Sequence, residues 1–121
     1  MTMLSGVNIE TREFEEFSVG EVYFVDLFKP KITAKNGILQ FHTEKGKFLG
    51  LVTLEDIKEH WLKFGFMPLD SVNVINVNKI AYIVEETFFV SAIFENGTSA
   101  SISRNRLHMI DHLNIPRKRP V

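Results

Sequence analysis

Ser103-Arg104-Asn105-Arg106 is a stretch whose residue types can read another molecule. A guanidinium can form two parallel hydrogen bonds with guanine, and a carboxamide can do the same with adenine. The four residues stand where a run of small polar residues (TSASIS, 98–103) gives way to a helical pattern over residues 104–113, so their side chains can project together. The same stretch also fits an ordinary helix start capped by Ser103, with surface arginines. A second basic group, Lys29, Lys31 and Lys35 with Asn36, lies in a loop or hairpin arm. It can contact phosphates from a flexible loop. It can equally be a charged edge that discourages strand addition.

Catalytic and metal chemistry find little support. No serine lies in a G-x-S-x-G elbow, and the seven glycines are scattered at turns, not gathered in a phosphate loop. His108 and His112 are four apart on the expected terminal helix, a spacing that can hold a metal. No glutamate follows the first histidine and no third ligand is evident, so two surface histidines are the simpler reading. The expectation is a chain that is not an enzyme, with no catalytic residues, no metal and no cofactor.

Composition narrows the class. The chain has 121 residues, 45% of them hydrophobic, which suits one globular domain with its own core. The absence of cysteine removes disulfides, zinc–thiolate sites and thiol nucleophiles. No apolar run approaches the ~20 residues of a membrane span, and the start lacks the pattern of a signal peptide. A cytoplasmic protein is expected. The formal net charge is only −1, but the charges are segregated. Residues 1–20 and the strand that follows are acidic, through Glu10, Glu13, Glu15, Glu16, Glu21 and Asp26. Residues 29–47 are basic, and so is the end, through Arg104, Arg106, Arg117, Lys118 and Arg119. A nearly neutral domain can still present one basic face.

Most of the chain reads as short strands. Residues 22–27 (VYFVDL) are β-branched and aromatic. Residues 31–35 and 38–43 flank Asn36-Gly37, a hairpin signal, and residues 44–46 form a second tight turn before 47–52. Residues 53–64 (TLEDIKEHWLKF) switch to a helical period, with Leu54, Ile57, Trp61 and Phe64 on the core face, Thr53 as N-cap and Gly65 as the stop. Strands follow at 80–84 and 88–94, then the Asn96-Gly97 hairpin and residues 98–103. A short helix over 104–113 and a loose basic tail over 114–121, broken by Pro116 and Pro120, complete the chain. The pattern predicts a mainly β (α+β) domain of antiparallel sheets with one central helix and a short C-terminal helix.

The order of these pieces resembles the LytTR DNA-binding family over residues 21–113. A strand ends in an acidic residue, Val22-Tyr23-Phe24-Val25-Asp26. A threonine and a turn glycine follow in Phe41-His42-Thr43-Glu44-Lys45-Gly46. A threonine-leucine helix start comes next, Thr53-Leu54-Glu55-Asp56. Gly65-Phe66 closes that helix, and Asn76 stands ten residues beyond Phe66, with Ile80 soon after. The last pieces are the Asn96-Gly97 hairpin and the Ser103-Arg104 pair.

The resemblance implies small antiparallel sheets that place inter-strand loops, not a recognition helix, in successive major grooves of double-stranded DNA, so as to regulate transcription. It implies DNA contacts from Lys29, Lys31, Lys35 and Asn36, from Ser71 in the segment before Asn76, and from Arg104, Asn105 and Arg106. A bacterial response-regulator effector domain is the family setting, with a second copy on tandem or repeated DNA sites left open and neither membrane nor small-molecule substrate as partner. The family's usual receiver or membrane segment is not read in these residues, so a stand-alone regulator or a piece of a longer one is expected. The middle segment departs from the family pattern: Pro68-Leu69-Asp70-Ser71-Val72-Asn73 lacks the usual basic residues, and Asp70 repels phosphate. Asn76 is expected to be structural. The alternative is a protein-interaction module on the same fold with a decayed DNA surface. A small-ligand sensor would need a concave apolar pocket.

Overall fold

Alternation along β3, Val22–Phe28, sends Phe24 to one side of a sheet and Val25 to the other, and both are buried. That split organises the molecule. A computed structural model describes residues 3–28, 38–50 and 61–119. The other strands among them are β1 Met3–Asn8, β2 Phe14–Ser18, β4 Ile38–Thr43, β5 Gly46–Gly50, β6 Phe66–Asp70, β7 Asn73–Asn76, β8 Ile80–Glu85, β9 Val90–Phe94, β10 Ser99–Ile102 and the two-residue β11 Arg117–Lys118.

These strands form two sheets. The larger has the order β2-β1-β5-β4-β3-β7-β6, and every pairing in it is antiparallel. The smaller has the order β10-β9-β8-β11, with β11 running parallel to β8. The side of the larger sheet that carries Phe24 and Ile75 packs on the smaller sheet. There Phe94 lies 5.6 Å from Phe24 and 5.0 Å from Tyr23, centroid to centroid, and Ile83, Ala92, Leu107 and Ile110 fill the rest. The side that carries Val25 and Val74 gathers Phe17, Phe41, Phe48, Trp61 and Phe66. Trp61 is 6% exposed, 5.8 Å from Phe41 and 4.8 Å from Phe66. A central sheet buried on both sides accounts for the many apolar positions in the mid-chain strands.

The expected helix over 53–64 lies outside the described residues as far as residue 60. From there Leu62–Phe64 form a 3-10 turn that ends at Gly65, whose φ is +90°. Only glycine adopts that conformation freely, and a Cβ there would also lie 2.4 Å from Asn78 Nδ2. Phe64, expected on the core face, is 37% exposed, while Trp61, which precedes this turn, is buried.

Two further segments differ from their sequence reading. Residues 3–18, acidic and without an assigned element, form the β1–β2 hairpin, and β1 extends the larger sheet by pairing with β5. The basic tail is not loose as far as residue 119. Arg117 and Lys118 pair with Ile83 and Val84, Ile83 N–H donates to Pro116 O at 2.8 Å, and Arg117 bridges Glu85 and Asp111. The terminal segment Arg104–Leu113 is helical, as a 3-10 helix. Ser103 stands at its N-cap without a side-chain capping bond.

Candidate nucleic-acid interface

The two sheets bring four chain segments to one rim. β3 ends and β4 begins there, with Phe28 paired to Ile38. β7 opposes β3 with Val74 on Val25, so the Asp70–Asn73 turn between β6 and β7 reaches the same end. In the smaller sheet Glu85 and Ile102 both pair with Val90, so the β8–β9 loop and the exit of β10 share an end. Three bonds fasten these ends together. Asn73 Nδ2 donates to Ser101 O at 2.9 Å, Ser103 N–H donates to Leu69 O at 2.7 Å, and Arg106 Nη1 donates to Pro68 O at 2.8 Å. They close the edge strands β6 and β10 against each other, so neither offers a bare edge at this rim.

On this rim the expected readers differ in kind. Arg104 is exposed, and its Nη2 donates to the backbone carbonyls of Glu86 and Thr87, the latter at 3.4 Å. Among the described residues its Nε and Nη1 make no hydrogen bond, so the guanidinium is held at one corner with donors to spare. Asn105 is exposed beside it. Arg106 is half-buried and spends Nη1 on Pro68 O, which makes it a clamp between the sheets. Ser71 is exposed at the β6–β7 turn, where its backbone N–H and Oγ donate to Asp70 Oδ1 at 2.6 and 3.3 Å. Lys29, Lys31, Lys35 and Asn36 lie outside the described residues, but the strands that lead into and out of their segment both end at this rim.

Of the lysines in the basic run 29–47, only Lys45 and Lys47 are among the described residues. Lys45 and Lys47 sit at the far end of β4 and β5, at the level of the Thr43–Gly46 turn. There Lys45 lies 3.5 Å from Glu21. In the tail, Arg117 pairs with Glu85 and Asp111, and Arg119 lies 3.9 Å from Glu85. His108 and His112 are exposed. On a 3-10 helix residues three apart eclipse, so a spacing of four turns them about 120° apart. No group of potential metal ligands occurs among the described residues.

Sequence reasoning missed two residues. Phe88, read there as the start of a strand, is 92% exposed, and Phe89 is 54% exposed; both lie in the loop before β9. A run of aromatic and β-branched residues signals a strand whether or not each ring is buried. Nothing in the local pattern separates these two rings from Val90 and Phe94, which face the core.

A largely buried polar cluster joins β3 and β4 between the rim and the Thr43–Gly46 turn. His42 Nε2 is 2.9 Å from Asp26 Oδ1, Gln40 Nε2 donates to the same oxygen at 3.0 Å, and the His42 ring stacks on Phe24 at 3.9 Å. These bonds tie β3 to β4, which gives the acidic strand end at Asp26 a structural purpose. Asn76, also buried, donates to Val22 O at 3.0 Å and so is structural as expected, by joining strands and not by capping a turn. Among the described residues no helix is long and apolar enough to cross a membrane.

The LytTr DNA-binding domain family model matches residues 17–113, most of the chain. Among solved structures, a similar one is the LytTr DNA-binding domain of a protein from Bacillus cereus described as a methyl-accepting/DNA response regulator. The TM-score is 0.71 at 14% identity, over 95% of this chain and 99% of that one. At that identity the likeness speaks to the fold. Compared with curated proteins, the sequence has no significant match.

Proposed function

Because this chain belongs to the LytTr DNA-binding domain family, we propose that the rim described above reads double-stranded DNA through its inter-strand segments, entering the major groove to regulate transcription. DNA binding is the family's property; the loops and the roles of their residues are our assignment. The observation that carries it is Arg104. It is exposed at the β10 exit, and its guanidinium is fixed by the carbonyls of Glu86 and Thr87. A donor array held in place loses little conformational freedom on binding. Arg104 and Asn105 read base edges, guanine and adenine being their matching partners. Ser71 supplies a hydroxyl from the neighbouring turn. Lys29, Lys31, Lys35 and Asn36 contact the backbone, which positions the domain without reading sequence. Arg106 supports this surface from behind. A second copy on a tandem site would repeat the same contacts.

Acidic residues on the rim favour a second reading. Asp70 and Glu86 lie among the proposed contacts, and the net charge is −1. A protein-interaction module on this fold would carry such a surface. Selection of duplexes from a random pool by the purified chain, repeated with Arg104→Ala, separates the two. Enrichment of a defined site that Arg104→Ala loses supports DNA reading. Absence of any enrichment at low salt supports the interaction module.

A further inference from the structure

The β8–β9 loop presents an apolar surface that the readout proposed above does not use. Phe88 is almost fully exposed, on a loop closed by Glu86 N–H donating to Phe89 O at 2.9 Å. A phenyl ring kept in water on a short, closed loop is available to a partner. The place of the loop indicates which partner. Arg104 Nη2 is bonded to the carbonyls of Glu86 and Thr87, the two residues that precede Phe88. The guanidinium proposed to read a base and the exposed ring therefore belong to one bonded unit. The acidic groups of Asp70 and Glu86 weaken phosphate attraction at this rim, so contacts that do not depend on charge gain weight there.

We infer that Phe88 is a specificity-determining residue that packs on the C5-methyl group of a thymine in the major groove, close to the base pair contacted by Arg104. The inference rests on the assignment of this rim to DNA. Thymine is the base whose major-groove edge carries a methyl group, and an apolar side chain selects for it. The contact is apolar, so it adds affinity without releasing counterions.

The test uses the full chain and a duplex that it selects from a random pool, with each thymine replaced singly by deoxyuridine, which lacks only the methyl. For the wild type, one replacement weakens binding about fourfold, the factor for losing burial of one methyl-sized group. Phe88→Ala binds the parent duplex more weakly, is indifferent to that replacement and keeps the wild-type salt slope. Phe88→Leu retains part of the discrimination. The thermal melts of both variants match the wild type, because the ring is exposed. Wild-type affinity and unchanged deoxyuridine sensitivity in Phe88→Ala overturn the inference. So does an effect of Phe88→Ala confined to self-association in sedimentation, which would assign the ring to a second copy of the chain. A selected site that depends on Arg104 but shows no deoxyuridine effect overturns this inference alone. Failure of the wild type to select any duplex overturns it together with the DNA reading.

Discussion

The Asn73 side chain reaches from the first residue of β7 to the backbone carbonyl of Ser101 in β10, donating through Nδ2 at 2.9 Å. The residue is buried, and the bond crosses between the two sheets at the rim that carries Ser71, Arg104 and Phe88. It sets the distance between the β6–β7 turn and the β10 exit, and so the spacing of whatever those segments contact. Asn73→Ala leaves the Ser101 carbonyl without this donor and is expected to cost about 1–3 kcal/mol of stability. Its DNA affinity at a temperature where it is fully folded should fall as well. Thermal melts and anisotropy titrations check both; unchanged affinity in a folded, destabilised variant would show that the rim does not need this spacing.

Arg104 and Arg106 are two residues apart and are expected to fail differently. Arg104→Ala removes an exposed side chain, so stability should change by no more than about 0.5 kcal/mol. Binding to the selected site should weaken by about 1–3 kcal/mol, with relaxed preference at one position. Arg106→Ala loses the bond to Pro68 O between the sheets and should lower the melting temperature, its charged donor being worth about 1.5–3 kcal/mol. Melting curves and site selection for the two variants together check this; a large loss of stability in Arg104→Ala would make that residue structural.

Trp61 touches Phe41 and Phe66 in the core on the far side of the larger sheet. Trp61→Ala is expected to destabilise the domain by about 3–5 kcal/mol. Chemical denaturation measures it, and a loss below about 1 kcal/mol would contradict the packing described, since a surface substitution costs less than that.

Tyr23 is buried beneath Phe94, and burial raises its phenol above the usual value, with Glu44 adding to the rise and Lys79 opposing it. A raised value in the folded state means stability that is complete below the unfolded value of about 10 and is lost as pH rises through the folded one. Stability of the wild type should therefore fall more steeply above pH ~10 than that of Tyr23→Phe. Denaturant midpoints of both proteins across alkaline pH give the comparison; identical profiles would remove Tyr23 as the cause.

Local chemistry made much of this fold legible. Gly65 stops the chain where its positive φ is needed, Asn96-Gly97 turns β9 into β10, and the strands read over 22–27 and 38–43 pair antiparallel, with one register shift between Val22 and Phe24. Elements that depend on a distant partner were not legible. β2 carries Glu15 and Glu16, whose charges hide its strand character, and it is ordered by pairing with β1. β11 is two residues long and exists through β8 and the Arg117 ion pairs. On the proposed surface, the sequence marks the Ser103–Arg106 cluster but not how its two arginines are held. The difference between Arg104 and Arg106 lies in which backbone carbonyls come within reach, those of Glu86 and Thr87 for one and that of Pro68 for the other. Both contacts span many residues of sequence. Phe88 and Phe89 were hidden because strand composition does not report exposure.

The proposed DNA reading is tested most directly by the salt dependence of binding to the selected duplex, with Lys31→Ala beside the wild type. Four to six phosphate contacts give a slope of log affinity against log salt of about −4 to −5, and loss of one lysine contact reduces its magnitude by about one on every duplex alike. That slope, with the smaller one for Lys31→Ala, is the expected result. No binding to any duplex at low salt, or a slope near zero, would contradict the account.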